Sequence, residues 1–178
     1  MNELNCDKIM DSLFSDGNYL DEYLIDNRNF NKLLEYIKMN CDKLILKFID
    51  GVEIFGTYVY GLGKANMFIS DPYYFNRFKE ILNDDPYPGT LNLKIEKIYK
   101  NLILFLKNFQ NIVIKGDKDH GAVFIYNCKI FDEKCLLIFP EKSKYLDIIE
   151  IVSSKKLSEY YKMKIGEKYK IYIYINFK

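Results

Sequence analysis

From Lys43 onward the sequence is a series of short β-rich runs with no regular alternation of strands and helices. The runs are KLILKFIDGVEIFGTYVYG, TLNLKI, GAVFIYNCKI, KCLLIFP, DIIEIV and EKYKIYIYINF. A doubly wound sheet requires a helix between successive parallel strands, and this pattern does not provide one each time. The series therefore predicts a mainly β domain, either a closed barrel or a sandwich.

Helical spacing is limited to a few segments. Before the strand series, NFNKLLEYIKMN places apolar residues on one helical face, namely Phe30, Leu33, Leu34 and Ile37. Within the β region, YYFNRFKEIL and KKLSEYYKM have helical spacing. We therefore divide the chain into an N-terminal helical extension of unknown role, residues 1–42, and a β domain with two short helices, residues 43–178.

Two glycine-containing turns are predicted from their residues. Asp50-Gly51 stands between β-rich runs and predicts a hairpin with a type I′ turn, whose two central positions both need φ > 0. Pro88-Gly89 suits the central positions of a type II turn, because Pro presets φ and Gly accepts a positive φ. The second turn leads directly into the strand TLNLKI.

The strand after the second turn carries two polar side chains on one face. Because side chains two residues apart share a face, Thr90 and Asn92 point one way while Leu91 and Leu93 point the other. A hydroxyl and an amide oxygen are neutral, hard ligands that suit Mg²⁺, which keeps few protein ligands when phosphates and water supply the rest. The alternative is a turn followed by an ordinary half-exposed strand, and the spacing alone leaves both open.

The composition argues against several classes of protein and site. The net charge of +1 argues against non-specific nucleic-acid binding. No apolar run approaches the roughly 20 residues that span a bilayer. The four cysteines form no CxxC pair and have no neighbouring histidine, which argues against zinc. We therefore expect a cytoplasmic protein with reduced thiols and without membrane or nucleic-acid partners.

Two further segments are candidates for ligand contact, each with a plainer alternative. Gly61-Leu62-Gly63 follows a strand, so its backbone N–H groups can approach a phosphate, but a tight turn explains it equally. It is no dinucleotide-binding fingerprint, since a third glycine is missing and residues 65–69 look extended. The basic segment SSKKLSEYYK can meet phosphates or form solvated surface.

Two single residues also attract notice. Glu150 lies within the apolar run DIIEIV, where a carboxylate costs free energy unless it faces water or is paired. It either faces solvent or hydrogen-bonds or deprotonates a ligand hydroxyl. His120 is the only histidine, and KGDKDHG reads as a polar loop, so we expect a solvated loop histidine.

Several of these segments occur in an order that resembles the archaeal CTP-dependent riboflavin kinases. They are GTYVYGLGKANMFIS, PYPGTLNLKI, HGAVFIYNCKI and the long block from FPEKSKYLDIIEIV to EKYKIYI. The resemblance extends from about Gly56 to Ile175, and PYPGTLNLK is its most specific part. It implies a six-stranded barrel of the cradle-loop type, with short helices besides the N-terminal extension.

The resemblance also implies an activity and a set of site residues. The activity is transfer of the γ-phosphate of CTP to the 5′-hydroxyl of riboflavin, which gives FMN and CDP with Mg²⁺ as the cofactor. Thr90 and Asn92 resemble the metal ligands, and Ser143 and Glu150 resemble the flavin-contacting positions, with Glu150 as a candidate catalytic residue. Two loops resemble the nucleotide-binding loops, made up of Leu62, Gly63, Lys64, Ala65, Asn66 and Met67, and of Lys155, Lys156, Leu157 and Ser158.

This sequence departs from the family pattern at the phosphate-binding loops. Where the family's first loop usually runs Gly-Leu-Gly-x-Gly-Arg, Ala65 and Asn66 occupy the last two places, and Ser158 replaces a later arginine. Lysines near both loops can supply charge in place of the two arginines, but an ammonium is a point charge rather than a bidentate fork. Two other functions therefore remain open: a non-catalytic flavin- or nucleotide-binding sensor, and a structural or RNA-associated barrel.

Overall fold

The computed structural model describes residues 51–61, 63, 65–108, 112–143 and 147–175. The predicted N-terminal helical extension, residues 1–42, lies outside this part of the chain, as does the β-rich run that precedes Gly51. The predicted hairpin at Asp50-Gly51 therefore falls outside it too, except that Gly51 itself has φ +128°.

The described residues form an antiparallel sheet of seven strands. The strands are β1 (Val52–Val59), β2 (Leu91–Ile95), β3 (Ile112–Ile114), β4 (Val123–Ile130), β5 (Glu133–Pro140), β6 (Ile148–Val152) and β7 (Lys168–Ile173). They are ordered β3-β4-β5-β6-β2-β1-β7, and β7 also pairs with β4. This last pairing closes six strands into a barrel with β3 outside it, which confirms the predicted fold class.

Short helices connect and cover these strands. They are α1 (Ala65–Ser70), α2 (Pro72–Leu82), α3 (Lys100–Asn108), which follows a 3₁₀ turn at Lys97–Tyr99, and α4 (Leu157–Tyr160). Helices α2 and α4 were predicted from their spacing. No helix among the described residues has the length and apolar character that a membrane span requires.

Two of these helices were not predicted. Residues 65–69 looked extended, but they lie in α1, and that prediction was wrong. Three consecutive apolar residues close this segment and mimic a strand, whereas helical packing is fixed by tertiary contacts such as Phe68 against Tyr74, with ring centroids 4.3 Å apart. Helix α3 contains the continuous apolar run LILFL, whose periodicity cannot distinguish a buried helix from a strand.

Two apolar clusters lie on opposite sides of the barrel wall. The inner cluster fills the barrel and includes residues of α3; its members include Leu91, Leu93, Ile95, Leu102, Ile103, Leu106, Ile149, Ile151, Ile171 and Ile173. The outer cluster packs α1 and α2 against the wall, through Ile69, Tyr74, Phe78, Leu82, Ile125, Leu136, Ile138 and Val152. The wall formed by β5 and β6 is therefore apolar on both faces over part of its length.

Candidate functional site

The alternation predicted for strand β2 is confirmed. Leu91, Leu93 and Ile95 are buried in the inner cluster, whereas Asn92 is half-buried and Lys94 is exposed. Thr90 stands immediately before the strand and is also half-buried. Hydrophobic burial of the leucines thus fixes the register that leaves Thr90 and Asn92 on the outer side.

Thr90 and Asn92 are in direct contact. The Asn92 Nδ2 atom donates to the backbone oxygen and to Oγ1 of Thr90, each at 3.3 Å. The backbone of Gly61 approaches the same amide, since a Cβ added there would lie 2.4 Å from Nδ2 of Asn92. The start of the glycine loop therefore meets the polar pair, and it does so at a position where any side chain would displace Asn92.

Glu150 lies directly opposite Asn92 on the neighbouring strand β6. Opposite residues of an antiparallel pair share a face, so Glu150 points to the same outer side as Asn92. On its other edge, Glu150 is opposite the buried Ile138 of β5. Burial raises the pKa of the Glu150 carboxyl above its usual value, and the positive charge of Lys107 partly opposes this effect. The carboxylate is thus half-buried rather than freely solvated.

The turn before β2 differs from the prediction. A type II turn requires φ > 0 at Gly89, but the described glycines with positive φ are Gly51, Gly63 and Gly166, so the type II assignment was wrong. Instead, the Gly89 N–H donates to the oxygen of Tyr87 at 2.8 Å. A Cβ at Gly89 would lie 2.9 Å from the Tyr87 ring. A side chain at this position would therefore displace the Tyr87 ring.

This turn is tied to the end of strand β6. The Tyr87 N–H donates to the backbone oxygen of Ser153 at 2.8 Å, and the Ser153 side chain is buried. The Ser153 hydroxyl donates in turn to the backbone oxygen of Lys155 at 2.5 Å. These two bonds hold the segment before β2 beside the loop that follows β6.

A cleft of about 100 Å³ lies between these two segments. It is lined by Tyr58, Tyr87, Gly89, Thr90, Leu91, Ile151, Ser153, Lys155, Lys156, Leu157 and Ser158. The structure therefore brings one predicted metal ligand together with all four predicted residues of the second nucleotide loop. Sequence reasoning missed Tyr58, Tyr87 and Ser153, although each stands within a segment already singled out.

The predicted residues of the second loop have different environments. Lys155 Nζ lies 2.7 Å from Glu133 Oε2, and Lys156 is paired with Glu159. Leu157 is buried in the inner cluster, so it offers a ligand mainly its backbone. Both lysines are therefore already paired with carboxylates beside the cleft.

The first predicted nucleotide loop lies at the other side of Asn92. Leu62 and Lys64 fall outside the described residues. Gly63 has φ +72°, and no other described residue lies within 4 Å of a Cβ built there; Ala65, Asn66 and Met67 begin helix α1. Of the loop positions that the structure describes, none lines the cleft. The contact between this region and the polar pair is made by Gly61.

Ser143 belongs to a turn after β5 and is half-buried. Its N–H donates to the backbone oxygen of Pro140 at 2.8 Å. The chain between Ser143 and β6 passes through residues 144–146, which lie outside the described part. The role of Ser143 as a flavin contact therefore stays a prediction.

His120 is not the solvated loop residue that we expected, because only 23 % of its side chain is exposed. Its Nδ1 lies 2.7 Å from Asp117 Oδ1, and its Nε2 lies 3.5 Å from Asp71 Oδ1. The ring stacks on Tyr73 with centroids 4.3 Å apart. The hydrogen bond with Asp117 raises the pKa of His120. These contacts join the β3–β4 loop to the start of α2, where Asp71 is the N-cap.

The spacing of Thr90 and Asn92 can be compared with the ligand geometry of a magnesium ion. Among the described residues, no three His, Cys, Asp or Glu side chains are grouped to hold a metal. The Thr90 hydroxyl and the terminal amide of Asn92 are 3.3 Å apart. Adjacent oxygens around octahedral Mg²⁺ are about 3 Å apart, so the pair fits if the amide presents its oxygen to the ion.

Known protein families were compared with this chain, and the match covers the segments described above. The model of the CTP-dependent riboflavin kinase family, described as domain of unknown function DUF120, matches residues 58–173. This range contains most of the barrel and all residues of the cleft.

Curated proteins named riboflavin kinase are similar to the same region. The protein from Picrophilus torridus is 39 % identical over 126 residues, which cover 68 % of this chain and 57 % of that protein. The protein from Thermoplasma acidophilum is 32 % identical over 134 residues, covering 73 % and 61 %. The protein from Methanobrevibacter smithii is 34 % identical over 118 residues, covering 65 % and 95 %. The chain thus spans less than two thirds of the first two proteins and nearly all of the third.

Proposed function

The chain belongs to the family of CTP-dependent riboflavin kinases, and on this premise we propose that it transfers the γ-phosphate of CTP to the 5′-hydroxyl of riboflavin, giving FMN and CDP. The cytoplasm is the proposed location. The observation that carries the proposal is the cleft in which Thr90 faces the loop Lys155–Ser158. It joins the most specific motif of the chain to the predicted phosphate-binding lysines. The match to 95 % of a curated riboflavin kinase supports the same function.

Phosphoryl transfer depends on positioning and on neutralising charge, with little covalent work by the protein. Thr90 and Asn92 would hold Mg²⁺, which when bound would offset the negative charge of the phosphates and orient them. Lys155 and Lys156 would add positive charge at the opposite wall of the cleft. Gly61 leaves room for the Asn92 amide, since a Cβ at this position would lie 2.4 Å from its Nδ2 atom.

Glu150 is the proposed contact to the accepting hydroxyl of riboflavin. It is a direct cross-strand partner of Asn92, and such partners have Cα atoms about 4.5–5.5 Å apart. Its half-burial raises its pKa, which makes the ionised carboxylate a stronger hydrogen-bond acceptor and base. Ser143 is proposed as a second flavin contact.

A non-catalytic sensor that binds flavin or nucleotide is the second candidate. One observation favours it: Ala65, Asn66 and Ser158 stand where the family has glycine and two arginines, and both lysines beside the cleft are paired with glutamates. Such a protein keeps the binding surfaces but lacks enough charge to stabilise the transferring phosphoryl group.

The deciding experiment measures product directly. The purified protein is incubated with riboflavin, Mg²⁺ and either CTP or ATP, and FMN is separated from riboflavin by chromatography. We expect FMN with CTP. FMN with ATP alone retains the reaction class and changes the nucleotide, whereas riboflavin binding without FMN supports the sensor. Absence of flavin binding, with retention on RNA that weakens steeply with salt, supports the third function.

A further inference from the structure

Glu133, the first residue of strand β5, has an unusual position for a charged residue. Its side chain is only 16 % exposed, and its Oε2 atom lies 2.7 Å from Nζ of Lys155. The same Oε2 accepts a hydrogen bond from the Tyr161 hydroxyl at 3.3 Å. A half-buried carboxylate with two partners has one preferred position, so Lys155 is paired with a nearly fixed charge.

Lys155 is fixed at both ends. Its backbone oxygen accepts the bond from the buried Ser153 hydroxyl, and its Nζ lies over the Tyr160 ring, 4.6 Å from the centroid. A free lysine side chain loses much rotamer entropy when it binds a ligand. Lys155 has already lost it, and its side chain, which remains 41 % exposed, lines the cleft.

Lys156 provides an internal comparison. Its partner is Glu159, three residues later on the same segment, and the two side chains are 45 % and 70 % exposed. Exposed pairs of this kind contribute little and exchange freely with solvent. Lys156 also interacts with the half-buried Tyr87. Two adjacent lysines thus line one cleft, but of the two only Lys155 is paired with a half-buried carboxylate, that of Glu133 at the start of β5.

We propose that Glu133 is a positioning residue that holds the Lys155 ammonium at the cleft wall for the phosphates of the nucleotide. The inference rests on the proposed function, because it needs a nucleotide in this cleft. It explains how a lysine can act in a loop that lacks the family's arginine: the carboxylate provides the orientation that a bidentate guanidinium has by its own geometry.

The proposal predicts a change in nucleotide affinity opposite to the one that charge neutralisation alone would give. If Glu133 merely neutralised Lys155, replacing it with an uncharged residue would strengthen binding of a polyanion. If Glu133 positions Lys155, the same replacement weakens binding, since the ammonium becomes free to leave the cleft wall. Glu133→Gln is the suitable variant, because glutamine keeps the shape and can still accept a bond from Tyr161.

The experiment compares the CTP kinetics of four single variants and one double variant with the wild type, at saturating riboflavin and Mg²⁺. For Glu133→Gln we expect the KM for CTP to rise roughly three- to tenfold, with kcat changed less than about twofold. Glu133→Asp should recover part of this loss, and Glu159→Gln, the matched control, should leave the KM unchanged. Lys155→Met should raise the KM at least as much as Glu133→Gln. Combining Lys155→Met with Glu133→Gln should add nothing further, because the carboxylate acts through the lysine.

Three results would overturn the inference: a lower or unchanged KM for CTP in Glu133→Gln, additive effects in the double variant, or an equal change in Glu159→Gln. Calorimetric binding of CTP with Mg²⁺ separates this inference from the proposed function. If the wild type binds CTP without forming FMN, and Glu133→Gln binds CTP more weakly, the inference about Glu133 holds but the kinase activity is refuted. If the wild type forms FMN and Glu133→Gln binds CTP equally well, the kinase activity holds but the inference is refuted. A wild type that binds no CTP refutes both.

Discussion

The two faces of strand β2 differ in burial, polarity and hydrogen bonding. The inner face consists of Leu91, Leu93 and Ile95, which are buried in the core of the barrel. The outer face carries Asn92 beside Thr90, which are half-buried, hydrogen-bonded to each other and opposite Glu150. Residues that stabilise the core and the proposed metal ligands are therefore separated by a single residue step along one strand. Substitutions at adjacent positions should therefore have opposite consequences.

The largest effect is expected on the inner face. Leu93 is fully buried, so Leu93→Ala should leave a cavity and lower the free energy of unfolding by about 3 kcal/mol. Urea denaturation measures this loss, and the variant that remains folded should keep the wild-type KM for CTP. The neighbouring Lys94→Ala is the control and should change stability by less than about 0.5 kcal/mol. A Leu93→Ala variant of normal stability but low activity would contradict the separation of the two faces.

On the outer face, the combined change Thr90→Val and Asn92→Leu should lower Mg²⁺-dependent FMN formation at least about 100-fold. Both oxygen ligands are lost, while the size of each side chain is nearly retained. Thermal unfolding should stay near that of the wild type, because neither residue belongs to an apolar cluster. Full activity in this double variant would refute the metal assignment. Asn92→Asp, which retains an oxygen ligand, is the matched control and should lose less activity at raised Mg²⁺.

Glu150→Gln should lower turnover or weaken riboflavin binding by about tenfold, since it removes a charged hydrogen-bond acceptor. Its effect on stability should have the opposite sign. The pKa of Glu150 is raised in the folded protein, so folding loses stability as the pH rises above the usual value of 4.5 and the group ionises. Glutamine avoids this cost. Thermal unfolding of the variant and the wild type from pH 4 to 8 should therefore diverge in favour of the variant, and unchanged kinetics would return Glu150 to an ordinary surface role.

The smallest effect is expected away from strand β2, at His120. Its pKa is raised by Asp117, and hydrogen bonds from the Asp119 N–H and from His120 lower the pKa of Asp117. Asp71, Tyr73 and Tyr74 are the other titratable groups that face the ring.

The stability from this pair is present between the usual Asp value of 3.8 and the usual His value of 6.5. It declines as the pH falls through the folded-state pKa of Asp117 or rises through that of His120. His120→Gln should therefore be less stable than the wild type mainly in that window, with FMN formation unaffected. An equal loss at pH 9 would show that ring stacking, rather than charge, holds the loop.

The strand face that carries the candidate site could be predicted from the sequence, because alternation is a local property. The periods of TLNLKI and DIIEIV place Asn92 and Glu150 on definite faces. Their position opposite each other depends on the pairing of β2 with β6, which brings together segments about 60 residues apart in sequence. Register between distant strands is decided by the core and not by either segment alone.

Other features of the candidate site could not be predicted from the sequence because they also depend on contacts between distant segments. The partner of Lys155 lies on strand β5, and of the contacts of His120 only Asp117 is near in sequence, while Asp71 and Tyr73 come from the start of helix α2, so neither environment can be fully read from neighbouring residues. The type II turn predicted at Gly89 was wrong. The constraint at this position is the steric contact with the Tyr87 ring, which φ preferences do not predict.

Closure of the barrel by strand β7 has a consequence for how the chain reaches its native state. Strand β7 pairs with β1, which begins at Val52, and with β4. Contacts between residues so distant in sequence cost a large loop-closure entropy before they stabilise the fold, and this slows folding. During synthesis, β1 and β4 cannot pair with β7 until residues 168–173 have left the ribosome. A strand edge that lacks its partner is a site where other chains can pair, so we expect the incomplete barrel to aggregate more readily than the closed one.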